Sequence, residues 1–466
     1  MRRQRLDTIL LFIIATLVLL PNFYRNRWNV VDQAYYTEWQ TRYDRIVVAR
    51  LVKTRADGFF SAGGLMGIGD ETEWVVDTRT NRHQFNTFFN NSEFQSYLVY
   101  KSNPGFQGIL YGLADQVLEI PGEQKLKLFR LFTAFASAIF FGSIVSAFAA
   151  EFGLLSGVLT LLFAIICMWI ILPAGSIFWD FWAFYTPFLV AVFLLAYSSQ
   201  RNEYQSTKIH VILFNAVLIK ILFSGFDLTT TVMVMATVPF VYYGIRDHWD
   251  KKTFVSRIFK LGLVIVAAAA TGVLILSIQI MANEGSVASA YQYVLERVGH
   301  HAEGSAEYFF NTNVEVGQFT TTELITKYLV MPAFDVPFRN ATFQILYWQL
   351  IVLFAFFTVV FLLRKRFRGY GQYPRKAVAL IVATWYSISA PFSWYLLFQP
   401  HSFIHTHVNT MAWQMPFTLL GFALCGFVIT DFFTRRQETA INGRSSPSSQ
   451  TDSPLQNDTY TLHPHA

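Results

Sequence analysis

The sequence predicts an all-α, polytopic integral membrane protein with about ten transmembrane helices and two large extracytoplasmic loops that contain interfacial helices. Three observations predict it. Of the 466 residues, 53% are hydrophobic and only 14% charged, with a mean hydropathy of +0.35, whereas soluble domains carry about a quarter charged residues. Apolar runs long enough to cross a bilayer recur along the chain. Among the short connections between those runs, Lys and Arg gather on one side and are missing from the other.

The runs lie near residues 7–24, 128–149, 153–172, 177–198, 208–226, 228–245, 257–281, 343–363, 376–398 and 413–433. The first resembles a signal peptide, but no small-x-small site follows it and it runs on into Phe23 and Tyr24, so it reads as an uncleaved membrane helix. Basic residues gather at Arg2, Arg3 and Arg5, at Arg246 to Lys260, at Arg364 to Lys376 and at Arg435 to Arg444. The short connections near 173–176, 227 and 399–412 hold none. This asymmetry puts both termini in the cytoplasm and the protein, multi-pass, in the cytoplasmic membrane. It also accounts for the pI of about 9.1 without a nucleic-acid partner; membrane lipids are the expected surroundings.

Residues 1–436 then form one membrane domain, with outer segments at about 25–127 and 282–342, and 437–466 a disordered cytoplasmic tail rich in Ser, Thr, Asn and Pro. The two cysteines, Cys167 and Cys425, sit inside apolar runs and offer no disulfide framework or zinc pattern. Nothing in the sequence indicates the oligomeric state.

Candidate functional residues crowd the outer side. Asp32 stands a few residues beyond the first helix, where a carboxylate could take a proton from an attacking hydroxyl. Asp44 competes with it, although Arg42 and Arg45 beside it suggest a salt bridge. Residues 37–55 read as an interfacial helix, because Trp39, Tyr43, Val47, Arg50 and Leu51 recur at helical spacing. Arg45 and Arg50 suit a lipid phosphate if they face inward. The glycine-rich FFSAGGLMGIGD lacks the Gly-Lys-Ser/Thr of a nucleotide loop and reads as a tight turn or a flexible cover. Asp180, Lys220 and Asp227 lie near helix ends; the last two are seven apart and share a helix side. Charges at such depth are functional by default, although Lys220 could snorkel instead.

HSFIHTHVNTMAW places His401, His405 and His407 beside Asn409. The pair 401/405 shares a face only on a helix and the pair 405/407 only on an extended strand, so no regular structure gathers all three. No carboxylate lies in the segment, and His300, His301 and Glu303 would have to complete a metal set. No metal or other cofactor is therefore expected, a divalent ion being the alternative. The imidazoles and Asn409 read as hydrogen-bond donors to phosphate or sugar oxygens, with packing of the loop as the bland reading.

A first membrane helix followed by an outer loop with an acid near its start, here Asp32 in WNVVDQAYY, resembles the GT-C class of polytopic glycosyltransferases. The resemblance implies a GT-C-like fold, Asp32 as catalytic base and a polyprenyl-phosphate-linked sugar, or a pyrophosphate-linked one, as donor. Asp32 is followed by Gln33 and not a second acid, a departure from the protein-mannosyl-type subgroup. The stretches RIVVARLVKTRADGFFSAGGLMG, FSGFDLTTT and HSFIHTHVNTMAW also resemble a family of large bacterial multi-pass membrane proteins, a likeness that carries no activity with it.

The expected function is thus glycosyl transfer to an acceptor hydroxyl at the extracytoplasmic face. Asp32 would act as base; Arg45, Arg50 and Lys220 would hold the donor phosphate. Asp44, Asp180, Asp227, His405, His407 and Asn409 would orient substrate. The alternatives are a polymerase or ligase of lipid-linked glycans, centred on arginine, and a transporter or flippase of such lipids.

Overall fold

The computed structural model describes residues 2–74, 77–201, 203–204, 206–293, 320–338, 341–367 and 374–444. After α1 (Arg2–Arg25), the long segment before the next span holds α2 (Gln33–Asp57), a 3-10 turn (Ser61–Gly64), β1 (Met66–Gly69), α3 (Thr78–Phe89), β2 (Tyr97–Tyr100) and α4 (Phe106–Val117). The bundle continues with α5 (Gly122–Phe152), α6 (Leu154–Ile166), α7 (Met168–Ala174), α8 (Phe181–Arg201), α9 (Ser206–Ser224), α10 (Thr229–Arg246) and α11 (Lys251–Glu284). Then come α12 (Thr321–Leu329), β3 (Pro332–Phe338), β4 (Ala341–Leu346), α13 (Tyr347–Phe367), α14 (Arg375–Ser387), α15 (Ser389–Leu397), α16 (Gln399–Ile404), α17 (Thr406–Asn409) and α18 (Phe417–Arg444).

The apolar runs became helices whose exposed and buried stripes identify a lipid solvent. On α1 the buried apolar residues are Leu11, Ala15, Leu19 and Phe23, every fourth position, while Leu6, Ile9, Leu10, Ile13 and Leu17 stay exposed. On α13 the exposed set is Trp348, Val352, Phe356, Val359 and Leu363. Helices that leave large apolar side chains uncovered along their length suit hydrocarbon and not water. Gly142 lets α1 approach α5 closely: a Cβ there would sit 2.7 Å from the Thr16 hydroxyl.

Eight helices among the described residues are long and apolar enough to cross a membrane, and α6 with α7, bent by 70° at Cys167, would make a ninth. The tenth expected span, α10, has the length but carries Thr229, Thr230, Thr231 and Thr237, and does not pass by composition. The expected run at 376–398 forms one span, Arg375–Leu397, with a missed helical hydrogen bond near Ile388, because Pro391 has no N–H for the carbonyl of Ser387.

The two ends of the bundle differ in chemistry. One end carries α2, residues 175–180, residues 224–229 and α16–α17. Ser224 donates to the carbonyl of Trp179 and the Tyr43 hydroxyl meets His407, binding these segments together. At the opposite end Arg246 and Lys376 converge on Glu151, at 3.0 and 3.5 Å.

Three expectations change here. The segment around 37–55 is not an anchor lying on the membrane: α2 is buried without interruption from Asp44 to Val52. A helix apolar or buried all round belongs to a core. The two long segments between spans also hold strands: β1 pairs antiparallel with β2 (Met66 opposite Tyr100), and β3 with β4 (Asp335 opposite Gln344). Finally, α18 continues to Arg444, beyond the expected start of the tail at Gln437. Residues 445–466 and His300, His301 and Glu303 lie outside the described residues.

Candidate functional site

The site is built on α2. Asp32 is its N-cap: the exposed side chain accepts a hydrogen bond from the backbone N–H of Tyr35 at 2.9 Å. A carboxylate there also meets the positive end of the helix dipole. From Asp32 the spacing 35, 39, 43 follows one helix face. The rings along it touch in series, Tyr35 to Trp39 at 6.4 Å and Trp39 to Tyr43 at 4.8 Å between centroids. Tyr43 then stacks on Phe178 (5.9 Å, 23°) and meets Trp179 edge-on (5.3 Å), both from the loop that α7 delivers.

The histidine segment forms the facing wall. Its two short helices break at His405, whose φ of −103° and ψ of 41° are not helical. One helical turn brings His401 to His405 (4.8 Å between rings), and the break then returns His407 to within 6.0 Å of His405. The chain thereby gathers all three rings, which neither regular structure could do. His407 Nε2 lies 3.3 Å from the Tyr43 hydroxyl and its ring is edge-on to Trp39 at 6.2 Å. Burial, the largest effect, holds the Tyr43 phenol above its ordinary range, so it stays a neutral hydroxyl.

Arg42, half-exposed beside this wall, rests against the Tyr43 ring at 5.8 Å and has no ion pair or hydrogen bond among the described residues. Its charge and that of Asp227 both act on Tyr43, which places the two near the same hydroxyl.

The other sequence candidates are held by the protein itself. Arg50 is fully buried and its guanidinium donates to the carbonyls of Ser61 (2.6 Å), Phe59 and Gly58. It clamps the glycine-rich loop, which is a docked turn: Gly63 has φ +65°, and a Cβ there would lie 2.0 Å from the Gln279 carbonyl oxygen. Arg45 is 2% exposed and donates to Asn81 Oδ1 at 2.9 Å. Burial first, and the charge of Arg42 second, bring its pKa down to about 10, so it remains a cation. Lys220 Nζ donates to the carbonyls of Gly225 (2.8 Å) and Asp227 (2.6 Å) and to Thr229 Oγ1 (3.2 Å). All three of its protons are taken by the α9–α10 turn, neither snorkelling nor free for a phosphate. Asn409 is equally engaged, accepting from Trp394 Nε1 at 3.1 Å and donating to the His401 carbonyl at 3.2 Å.

Asp44 does form a salt bridge, though with a residue the sequence did not suggest. Its Oδ2 accepts from Arg130 Nε and its Oδ1 from Ser176 Oγ, each at 2.7 Å. Burial raises its pKa, while Arg130, Ser176 and the Phe178 backbone N–H pull it down. Among the described residues no three His, Cys, Asp or Glu side chains come together in metal-ligand geometry.

Asp180 is buried in the turn before α8, at φ +41°. Its Oδ1 accepts from Trp182 Nε1 (3.1 Å) and Tyr111 (3.3 Å), and Oδ2 is buried without a partner. Burial pushes this carboxyl up to about 8 from 3.8. A pKa raised on folding contributes stability that is complete below the unfolded value and is lost as pH rises through the folded one. Thermal stability is therefore expected to fall between about pH 4 and pH 8. Asp180→Asn, a neutral mimic, should flatten that slope; a slope unchanged in the variant would assign it to other groups.

No known protein family and no curated protein matches the chain in sequence. Among solved structures, the oligosaccharyltransferase of Archaeoglobus fulgidus, in its apo form, aligns over 95% of this chain and 53% of its own, at 15% identity and a TM-score of 0.44. The chain spans about half the length of that protein. No residue role or activity follows from a likeness at that score.

Sequence reasoning missed the wall itself. Trp39 and Tyr43 read as part of an interfacial helix, Phe178 and Trp179 fell unremarked inside the expected run 177–198, and Tyr43 and His407 are 364 positions apart. The usable signal was the aromatic spacing 35, 39, 43 running back to Asp32.

Proposed function

We propose that this protein is a membrane glycosyltransferase, moving a sugar from a polyprenyl-phosphate carrier to an acceptor hydroxyl. The α2 end of the bundle is then the extracytoplasmic face, and both termini are cytoplasmic. The observation that carries the reading is the joined wall: an exposed carboxylate at Asp32, a stripe of Tyr35, Trp39 and Tyr43, and His407 against Tyr43. The exposed Tyr35 ring gives a sugar apolar surface, with Trp39 buried behind it, while the Tyr43 hydroxyl and the imidazoles supply hydrogen bonds. The place of Asp32 after the first helix, which resembles GT-C enzymes, supports the same reading.

In the reaction the acceptor O–H gives its proton to Asp32 as its oxygen attacks the anomeric carbon. The bond from that carbon to the phosphate oxygen breaks, and polyprenyl phosphate departs with the electron pair. Arg42, which has no ion pair or hydrogen bond among the described residues, neutralises the departing phosphate. It takes the part that sequence reasoning gave to Arg45, Arg50 and Lys220. His401, His405 and His407 orient the donor, and Asp227 the acceptor.

Native mass spectrometry of protein purified in mild detergent is expected to show a bound series spaced by isoprene units, depleted in Arg42→Ala. Ordinary phospholipid alone in both proteins would overturn the reading. A polymerase or ligase of lipid-linked glycans is the second reading, because the one contact seen for Asp32, its cap on α2, is also what a non-catalytic acid would make. Activity lost in Arg42→Ala but kept in Asp32→Asn would favour it.

A further inference from the structure

A cavity of about 560 Å³ opens at the end of the bundle opposite α2, far from the wall just described. Ser199 of α8, Tyr204, the α10–α11 connection from Asp247 to Asp250, and Thr253 and Arg257 of α11 line it. Its size suits a small-molecule or headgroup ligand.

The charges around it are unequally matched. Asp247 accepts from Arg246 Nε at 2.7 Å and from the Tyr204 hydroxyl. Arg246 in turn reaches Glu151 at 3.0 Å and Ser199. Asp250 caps α11, accepting from the Thr253 N–H at 3.0 Å, and so answers the positive start of that helix. Both lining carboxylates are thus already engaged.

Arg257 is the exception. Its guanidinium lies between two aromatic faces, 4.2 Å from the Tyr204 ring centre and 3.9 Å from that of Trp249. It has no hydrogen bond and no ion pair among the described residues, and its Nη1 is buried without an acceptor. Ring faces hold a guanidinium flat but leave its in-plane N–H donors unused. The exposed Lys251 and Lys252 add positive charge at the start of the same helix.

We propose that this cavity binds a phosphate group, with Arg257 presenting its donor fork to the phosphate oxygens. A planar, pre-oriented fork with a fixed positive charge fits a phosphate's paired oxygens. The phosphate belongs either to a lipid headgroup of the adjoining leaflet or to a free phosphate compound. The site is separate from the proposed transfer site, so either assignment can fail without the other.

The test is native mass spectrometry of the full chain with phosphatidic acid added, phosphatidylcholine as control lipid and inorganic phosphate as competitor. One phosphatidic acid should be retained in preference to phosphatidylcholine. Its affinity should fall about tenfold or more in Arg257→Gln, the loss expected for a charge-assisted hydrogen bond. Glutamine keeps a planar amide between the two rings, and an unchanged melting temperature confirms the fold. Should that variant fail to fold, Arg257→Lys keeps the charge without the fork and should lose part of the affinity. Displacement by inorganic phosphate identifies a free phosphate compound as the natural occupant; resistance to it identifies a lipid headgroup. Equal retention of both lipids, or phosphatidic acid binding unaltered by either substitution, overturns the proposal.

Discussion

Replacing Asp32 with asparagine is expected to lower the transfer rate by about 10²–10⁴-fold, the contribution of a positioned general base. The substitution is informative because of where the side chain sits. Asp32 caps α2 through one hydrogen bond to the Tyr35 N–H, and asparagine caps a helix about as well as aspartate. Folding should therefore be preserved while the proton acceptor is lost. The measurement is a transfer assay on protein carrying its co-purified lipid, beside a melting curve. Full activity at an unchanged melting temperature would remove Asp32 from the chemistry. Asp32→Ala separates the two roles, since alanine also loses the cap, at about 1 kcal/mol.

The largest stability effect is expected twelve residues along the same helix. Asp44 is completely buried, and its partner Arg130 is only 24% exposed. Breaking a buried ion pair on one side leaves a charge without compensation, which costs about 3–5 kcal/mol. Asp44→Asn should show a loss near the lower end, because the open side of Arg130 retains some water. Chemical unfolding in detergent reads the loss. The double variant Asp44→Asn with Arg130→Gln should recover most of it, since the unpaired charge is then gone. Single variants that together add up to the double one would mean that the two side chains are not coupled.

The bundle was legible in the sequence because a membrane imposes long apolar runs, and these survive without knowledge of neighbours. α10 was the weak case, since its threonines lower its hydropathy although the helix itself forms. The helical character of α2 was legible from its spacing, but its burial was not. A buried helix with Asp44, Arg45 and Arg50 looks like an interfacial one until the groups that answer those charges are known. Arg130 lies 86 positions from Asp44, and the carbonyls around Arg50 belong to a loop with no charge at all. Lys220 and Asp227 were read as sharing a side, and they do meet. The contact is to the Asp227 carbonyl, however, which makes it a turn clamp. The histidines were legible as a cluster only in one dimension, because the break at His405 is a backbone torsion that composition does not announce.

That break has a mechanical consequence. The aromatic wall is cantilevered from α2, whose buried half is fixed by Arg130, Ser176 and the loop around Arg50. The opposing wall consists of two helices of 6 and 4 residues joined at a single non-helical position. The two walls are therefore anchored differently: in the proposed reaction a lipid-borne sugar would enter between one jaw built on α2 and another pinned from outside by Lys327, Tyr328 and Trp394. The Tyr43–His407 contact, at 3.3 Å, is the latch that such entry would have to open.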